Sequence, residues 1–273
     1  MNHCMNALER RVAGLTLASN CFPMKRISLW QCAFRRTSRA VLAATLMLSP
    51  ELWSGELEDG FTSLFNGKDL TGWEGKPGWW RVEDGAITAE STPEKPCPSA
   101  HYLFWRGGKP ADFELRAEYR ISGAGANSGI QFRSRELPGW DTSGYQADIE
   151  SGDQWTGCLF EHTRGGVSMR GQKVVIAADG KRQVTSIGDP KELIRHVRKD
   201  GWNQYRVIAK GSDLTLEING VIMCQATDEQ TGQAARDGFI ALQMHPGQPM
   251  KVQFRNVRIK LLNPPKPAAD ATK

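Results

Sequence analysis

Two carboxylates stand two positions apart in the segment Gly144-Tyr-Gln-Ala-Asp-Ile-Glu. Because side chains alternate between the two faces of a β-strand, a strand here places Gln146, Asp148 and Glu150 on one face. The Cα atoms of Asp148 and Glu150 would then lie about 6–7 Å apart. At that spacing one carboxyl can act as an acid and the other as a base, and ordinary glycoside hydrolysis is also possible. The alternative is a solvated strand face without a catalytic role.

Two further segments show the same alternation of polar and apolar residues. Gln131 and Arg133 lie on one face of the first, and Gln243 and His245 lie on one face of the second. Three strands with polar faces predict a sheet that binds a polar ligand, and a sugar is the first candidate.

Two histidines are candidates for acid–base chemistry. His245 comes at the end of its predicted strand, just before Pro246-Gly247, and therefore at a rim where loops begin. An imidazole there would serve as a general base or a metal ligand, and the alternative is a structural histidine held by hydrogen bonds. His162, which follows Glu161, is a second candidate.

Aromatic side chains near the polar strands are candidate platforms for a sugar ring. An indole can stack on the apolar C–H face of a pyranose, although tryptophan is also a common core residue. The candidates are Trp140, Tyr145 and Trp155. Trp140 lies in the turn Pro138-Gly-Trp-Asp, where we expect it to be exposed.

The elements that must position these residues are predicted to be β-strands. Turn signals such as Asn66-Gly67 and Asn219-Gly220 separate runs of alternating residues along the chain. The clearest predicted strands are Asp112–Ile121, Ser128–Arg133, Trp202–Lys210, Asp213–Ile218 and Val252–Leu261. Many strands of this kind predict an all-β sandwich. A single helix is predicted over Pro190–Arg198, with Asp189 as its N-cap.

Charge and cysteine content narrow the class of protein. Residues 1–55 carry seven of the 35 Lys and Arg and two of the 30 Asp and Glu, so the rest of the chain is neutral despite a net charge of +5. A neutral body lacks the basic surface that dominates binding to nucleic acid, and we expect no nucleic-acid partner.

Cys97, Cys158 and Cys224 do not have the spacing of metal-binding cysteines. They allow at most one disulfide, or three buried thiols.

The ends of the chain differ from its body. Residues 1–55 predict a targeting leader, because basic residues precede the short apolar run Ala40–Leu48. That run is too short to span a membrane, and export to the periplasm or the extracellular space is expected. The alternative is a disordered basic leader. Met24 is a second candidate start, so residues 1–23 are a possible start-site artefact. We expect one domain over 56–262 and a disordered tail over 263–273.

Seven collinear motifs make the body similar to a known family. The chain resembles the 3-keto-disaccharide hydrolase domain family in Phe61-Thr-Ser-Leu-Phe-Asn-Gly-Lys-Asp-Leu-Thr-Gly-Trp, Trp80-Arg-Val-Glu-Asp-Gly-Ala-Ile, Asp112-Phe-Glu-Leu, Asn127-Ser-Gly-Ile-Gln-Phe-Arg, Tyr145-Gln-Ala-Asp-Ile-Glu, Trp202-Asn-Gln-Tyr-Arg-Val and Phe254-Arg-Asn-Val-Arg-Ile-Lys-Leu. The resemblance implies a concanavalin-A-like jelly roll, a sandwich of two curved antiparallel sheets that binds glycans, in an exported bacterial protein.

The resemblance also implies a reaction. A ketone at C-3 of a sugar acidifies the C-2 proton, so that a base can expel the glycosidic oxygen by β-elimination before water adds. His245 or Asp148 would be the base and Glu150 its acid or base partner. Arg133 and Gln131 would donate hydrogen bonds to the enolate oxygen. A sugar 3-dehydrogenase would act upstream.

The polar strands and the aromatic residues near them are expected to contact the sugar. These residues are Gln131, Arg133, Gln146, Gln243, Asn127, Trp140 and Tyr145. Met244-His-Pro-Gly lacks the carboxylate of the Gln-Asp-His-Gly often found in related sequences, so no motif supports a divalent metal as cofactor. The alternatives to the proposed enzyme are a non-catalytic carbohydrate-binding module of the same fold and an ordinary glucanase.

Overall fold

Strands account for nearly all of the regular structure, in agreement with the turn and strand pattern of the sequence. The computed structural model describes residues 60–263. In chain order the strands are β1 Thr62–Ser63, β2 Trp73–Gly75, β3 Trp80–Glu83, β4 Ala86–Ser91, β5 His101–Trp105, β6 Phe113–Ser122, β7 Asn127–Leu137, β8 Asp141–Glu150, β9 Leu159–Glu161, β10 Gly165–Ser168, β11 Gln172–Ile176, β12 Arg182–Ser186, β13 Asn203–Lys210, β14 Asp213–Ile218, β15 Val221–Asp228, β16 Phe239–Met244 and β17 Met250–Leu261.

The strands form two sheets. The larger sheet has the order β12-β11-β15-β14-β13-β6-β17-β4-β3, with β1 paired to β17, and the smaller has the order β10-β9-β8-β7-β16-β5-β2. The predicted all-β jelly-roll sandwich is therefore confirmed. The pair β11 and β15 is parallel rather than antiparallel. It can be parallel because the long connection through β12, β13 and β14 returns the chain in the same direction.

The core lies between the two sheets. Phe113 of the larger sheet meets Phe132 of the smaller, with ring centroids 6.2 Å apart. Along β13 every second residue is buried, as the period of a strand with one face on the core requires. Burying a large apolar side chain contributes about 1.5–3 kcal/mol, so this layer is the main source of stability.

The turn predicted at Asn219-Gly220 is confirmed, and it joins β14 and β15 as a hairpin. Asn219 has φ 52° and Gly220 has φ 80°. Positive φ at both positions is what a two-residue type I′ turn needs, and Asn-Gly is the pair that adopts it most easily.

The predicted helix is shorter than expected. α1 spans Pro190–Leu193 and continues as a 3₁₀ turn over Ile194–His196. The Asp189 side chain accepts a hydrogen bond from the backbone N–H of Lys191 at 2.8 Å, which confirms the predicted N-cap.

Both predicted end segments, the leader over 1–55 and the tail over 263–273, lie outside the described residues, apart from residue 263 itself. Cys97, Cys158 and Cys224 are buried free thiols, which agrees with the second of the two readings. No helix within residues 60–263 is both long and apolar enough to cross a membrane.

Candidate active site

A cleft of about 430 Å³ opens on the face of the smaller sheet that points away from the core. Strands β5, β7, β8, β9 and β16 and the loops at their ends supply its walls. The lining residues are Ala100, Tyr102, Asn127, Asp141, Gln146, Asp148, Trp155, Phe160, His162, Gln243, His245 and Pro246. Seven of the residues singled out from the sequence therefore meet here: Asn127, Gln146, Asp148, Trp155, His162, Gln243 and His245.

Asp148 lies in the cleft because of the period of β8. Tyr145, Ala147 and Ile149 point into the core, so Gln146 and Asp148 point the other way. Asp148 is 4% exposed, and its Oδ1 accepts a hydrogen bond from Gln146 Nε2 at 2.6 Å. The strand pattern predicted this placement.

A chain of hydrogen bonds supports the Asp148 carboxyl from below. Gln131 Nε2 donates to Gln146 Oε1 at 2.5 Å, and Ser134 Oγ donates to Gln131 Oε1 at 2.9 Å. Because a carboxylate oxygen only accepts, each donor in this chain points towards Asp148. The glutamine amides are thereby held in one orientation.

Burial makes the Asp148 carboxyl a weaker acid than an ordinary aspartate. Desolvation raises the pKa of its carboxyl from 3.8 to about 7, and the nearby charge of Glu150 acts in the same direction. The hydrogen bond from Gln146 opposes the rise but does not cancel it. A group with a pKa near 7 can take up and release a proton at neutral pH, which is the property of a general base.

A second hydrogen-bonded chain crosses the cleft floor at Tyr102. Its Oη accepts from Gln243 Nε2 at 2.9 Å and lies 2.9 Å from His162 Nε2. His162 Nδ1 lies 3.4 Å from the carbonyl oxygen of Gly144. Burial raises the pKa of the Tyr102 hydroxyl above its ordinary value of 10, so the hydroxyl stays protonated and serves as a donor.

His245 stands at the rim of the cleft, as its position after the last residue of β16 predicted. It is half-buried, and its Nδ1 lies 2.6 Å from the carbonyl oxygen of Pro246. A carbonyl oxygen accepts, so Nδ1 carries a hydrogen and Nε2 is the nitrogen left for other partners. Across the described residues, no three His, Cys, Asp or Glu side chains are grouped to hold a metal ion.

The sequence profile of the 3-keto-alpha-glucoside-1,2-lyase-like domain family matches residues 60–260. The chain belongs to this family. The match covers the strands that build the cleft, from β1 to nearly the end of β17. The resemblance inferred from the seven motifs is confirmed.

Several known proteins are similar to this chain in sequence or in structure. A curated 3-keto-disaccharide hydrolase of Bacteroides thetaiotaomicron is 31% identical over 94 residues, which span 32% of this chain and 31% of that protein. A crystal structure of a candidate glycosyl hydrolase from Parabacteroides distasonis ATCC 8503 has 22% identity and a TM-score of 0.47, over 75% of this chain and 94% of that one. The carbohydrate-binding module CBM66 of Bacillus subtilis has 13% identity and a TM-score of 0.47, over 71% and 98%. These structural similarities are distant, and the fold described above follows from this chain's own strand pairings.

Glu150 does not line the cleft of this 3-keto-alpha-glucoside-1,2-lyase-like domain, which corrects its expected role as partner of Asp148. It is the last residue of β8, and its Oε1 accepts hydrogen bonds from the backbone N–H groups of Gln154 and, at 2.7 Å, Trp155. The backbone of Glu150 also exchanges hydrogen bonds with the Thr156 hydroxyl. The side chain therefore holds the loop that carries Trp155 into the cleft.

Arg133 is also absent from the cleft, and its expected role as an oxyanion donor is wrong. A register shift in β7 after Phe132, with φ 47° at Arg133, turns this side chain away from the polar face. The guanidinium is 1% exposed, and it donates to the carbonyl oxygens of Ala111 and Gly211, both at 2.8 Å. It therefore ties β7 of the smaller sheet to the loops before β6 and after β13 of the larger sheet.

Gln131 is fully buried beneath Gln146, so it acts on the cleft only through that residue. Its expected direct contact with an enolate oxygen is therefore wrong. The alternation along β7 placed it on the correct face, but Gln146 lies between it and the cleft.

Two aromatic candidates are placed elsewhere. Tyr145 lies on the core side of β8, where its hydroxyl donates to Asp228 Oδ2 at 2.5 Å and its ring stacks on Phe132. Trp140 is half-buried rather than exposed, and its carbonyl oxygen accepts from the N–H of Tyr102 at 2.9 Å. Neither residue lines the cleft.

The cleft also contains residues that the sequence reasoning did not single out. Tyr102, Asp141 and Phe160 line it, and Phe160 meets Trp155 edge-on with ring centroids 6.3 Å apart. Tyr102 lies in a run that is apolar on both faces, so nothing marked it as polar. The pairing of Tyr102 with Gln243 in the strand register brings it to the site.

Proposed function

We propose that this domain cleaves glycosides whose ring carries a ketone at C-3, by β-elimination followed by addition of water. A base removes the C-2 proton, the C-2–H electrons form a C-1–C-2 double bond, and the glycosidic oxygen leaves C-1. Water then adds to C-1 of the enone and C-2 regains a proton, so that the net result is hydrolysis. The observation that carries the proposal is the buried carboxyl of Asp148 in the cleft of a domain of this family. Its burial raises the pKa to about 7.

Asp148 is the base in this proposal. A base with a pKa near 7 is ionised in a substantial fraction of molecules at neutral pH and still binds a proton well enough to remove one from carbon. Its surroundings in the cleft are fixed, since Gln146 holds Oδ1. Ketone activation and such a base together suit an elimination. An ordinary glycosidase would need a second carboxyl, for which Asp141 of the same cleft is the candidate, and the comparison of oxidised with unoxidised sugar distinguishes the two.

His245 and Asn127 take the two remaining roles. The leaving sugar lies towards the mouth of the cleft, where His245 stands, and its imidazole supplies the proton for the departing oxygen. Asn127 lines the cleft at the start of β7. Its side-chain amide donates to the C-3 oxygen, on which negative charge develops. These roles replace those first assigned to Glu150, Arg133 and Gln131.

The test compares a 3-keto-α-glucoside with the same glucoside unoxidised, using the purified protein and following release of the leaving group. We expect cleavage of the ketone alone, and a loss of about 10²–10⁴-fold in rate for Asp148→Asn. Cleavage of both sugars would indicate an ordinary glycosidase. Binding without cleavage of either would indicate a carbohydrate-binding module.

The proposed substrate places conditions on the surrounding biochemistry. A C-3 ketone arises by oxidation of the C-3 hydroxyl, so a sugar 3-dehydrogenase must supply the substrate. The leader over residues 1–55 favours export, and we propose that the reaction takes place outside the cytoplasm. Cell fractionation tests this point, and co-purification with a cytoplasmic marker would contradict it.

A further inference from the structure

Among the residues that the structure describes, one side chain of the cleft floor has a hydrogen-bonding atom without a protein partner. Gln243 is 4% exposed and lines the cleft. Its Nε2 donates to Tyr102 Oη, whereas its Oε1 is buried and has no hydrogen-bond partner within residues 60–263. A buried acceptor left without a donor is costly, and such atoms commonly mark a place where a ligand supplies the missing group.

The orientation of this amide follows from the chain of hydrogen bonds at Tyr102. The Gly144 carbonyl only accepts, so His162 Nδ1 must carry a hydrogen. In a neutral imidazole Nε2 is then the acceptor, and the Tyr102 hydroxyl gives its hydrogen to it. The Tyr102 oxygen can therefore only accept from Gln243, which must present its NH₂ group. Oε1 is left as the free atom.

The strand register places Gln243 near the reacting group. Gly129 of β7 pairs with Asp148. Leu242 of β16 pairs with Ile130 of β7, so the next residue, Gln243, lies beside Gly129. Residues directly opposite one another point to the same face, so Gln243 and Asp148 flank a glycine across three adjacent strands. Their backbones are about 10 Å apart at the usual strand spacing. The Gln146 side chain covers Gly129 between them, and all three polar side chains line the cleft in which one sugar ring would lie.

We propose that Gln243 Oε1 accepts a hydrogen bond from a ring hydroxyl of the same sugar whose C-2 faces Asp148. The ligand must present a donor at this position, so a glycoside hydroxyl fits and an ether or fluorine does not. Tyr102 and His162 are positioning residues, because they fix which end of the amide faces the ligand. The inference rests on the proposed function for the identity of the ring, but its test depends only on binding.

The experiment measures the affinity of the purified protein for methyl α-glucoside and for its four monodeoxyfluoro analogues at C-2, C-3, C-4 and C-6, at pH 8. Fluorine resembles the hydroxyl in size but cannot donate. In the wild type we expect one analogue to bind about 10-fold or more weakly than the parent sugar, because it leaves the buried acceptor unpaired.

Two variants make the test specific. In Gln243→Leu, the parent sugar should bind as weakly as that analogue, and the difference between the two should vanish. In Tyr102→Phe, the amide of Gln243 is free to rotate, so the penalty for the fluorinated sugar should shrink. A structural role alone would not change the ratio between two ligands measured on the same variant.

The inference is overturned if all analogues bind like the parent sugar, if Gln243→Leu keeps the wild-type discrimination, or if no sugar binds. Its failure is distinguishable from failure of the proposed function. Discrimination by Gln243 without cleavage of a 3-keto-glucoside would leave the inference standing and refute the function. Cleavage without such discrimination would do the reverse.

Discussion

Replacing Asp148 by asparagine should stabilise the fold, and the gain should grow with pH. The folded protein holds the Asp148 carboxyl at a pKa of about 7, whereas its ordinary value is 3.8. Between these values the folded state binds the proton that the unfolded chain releases, so folding stability falls as pH rises through this window. Asparagine removes that loss, because it is neutral and keeps an acceptor for Gln146.

The size of the effect follows from the two pKa values. A difference of about 3 pKa units corresponds to on the order of 4 kcal/mol when the group is fully ionised, at 1.36 kcal/mol for each unit. Most of it develops above pH 5. The advantage of Asp148→Asn over the wild type should therefore increase by about 2–3 kcal/mol between pH 5 and pH 8.

Urea unfolding at pH 5, 6, 7 and 8 measures this difference directly. The two proteins should have similar m-values, so that a change in midpoint reports a change in stability. Asp141→Asn is a matched control, because Asp141 lines the same cleft but is exposed and should show little effect. A difference between Asp148→Asn and the wild type that stays constant with pH would refute the account of Asp148 as a desolvated carboxyl.

Two further predictions concern the residues around Asp148. A Cβ added at Gly129 would lie 2.5–2.8 Å from the side chain of Gln146. Gly129→Ala should therefore displace the amide that lowers the pKa of Asp148, and the rising limb of the pH–rate profile should move to higher pH. An unchanged profile would be evidence against the chain of hydrogen-bonded amides. Glu150→Ala removes the two hydrogen bonds that its carboxylate accepts from the loop carrying Trp155. If about 1.4 kcal/mol of that free energy must then come from ligand binding, KM rises about 10-fold with little change in kcat. Glu150→Gln, which keeps an acceptor, should restore most of the affinity, and a large fall in kcat in both variants would instead indicate a catalytic role.

Much of the fold could be predicted from the sequence, because strands with one face on the core show period two. β14 has the predicted bounds, and β6, β13 and β17 differ from prediction by one or two residues. The same period placed Asp148 and Gln243 on one polar face. The period of two could not predict the geometry at the ends of strands or at bulges.

The errors at the site have local physical causes. A bulge in β7 carries Arg133 out of register, and no residue type near it marks the bulge. Glu150 lies at the end of β8, where the backbone N–H groups of the following loop compete for its carboxylate. Tyr102 was missed because its polarity lies in one hydroxyl on an otherwise apolar strand, and its partner Gln243 is 141 residues away.

The central claim is that Asp148 removes the C-2 proton of a 3-keto-glycoside. The most direct test compares the cleavage rate of a 3-keto-α-glucoside with that of the same compound deuterated at C-2, at pH 8, where Asp148 is ionised. The account predicts that deuteration slows cleavage by the wild type and that Asp148→Asn cleaves neither compound at a comparable rate. Equal rates for the two compounds, with full activity in Asp148→Asn, would contradict it.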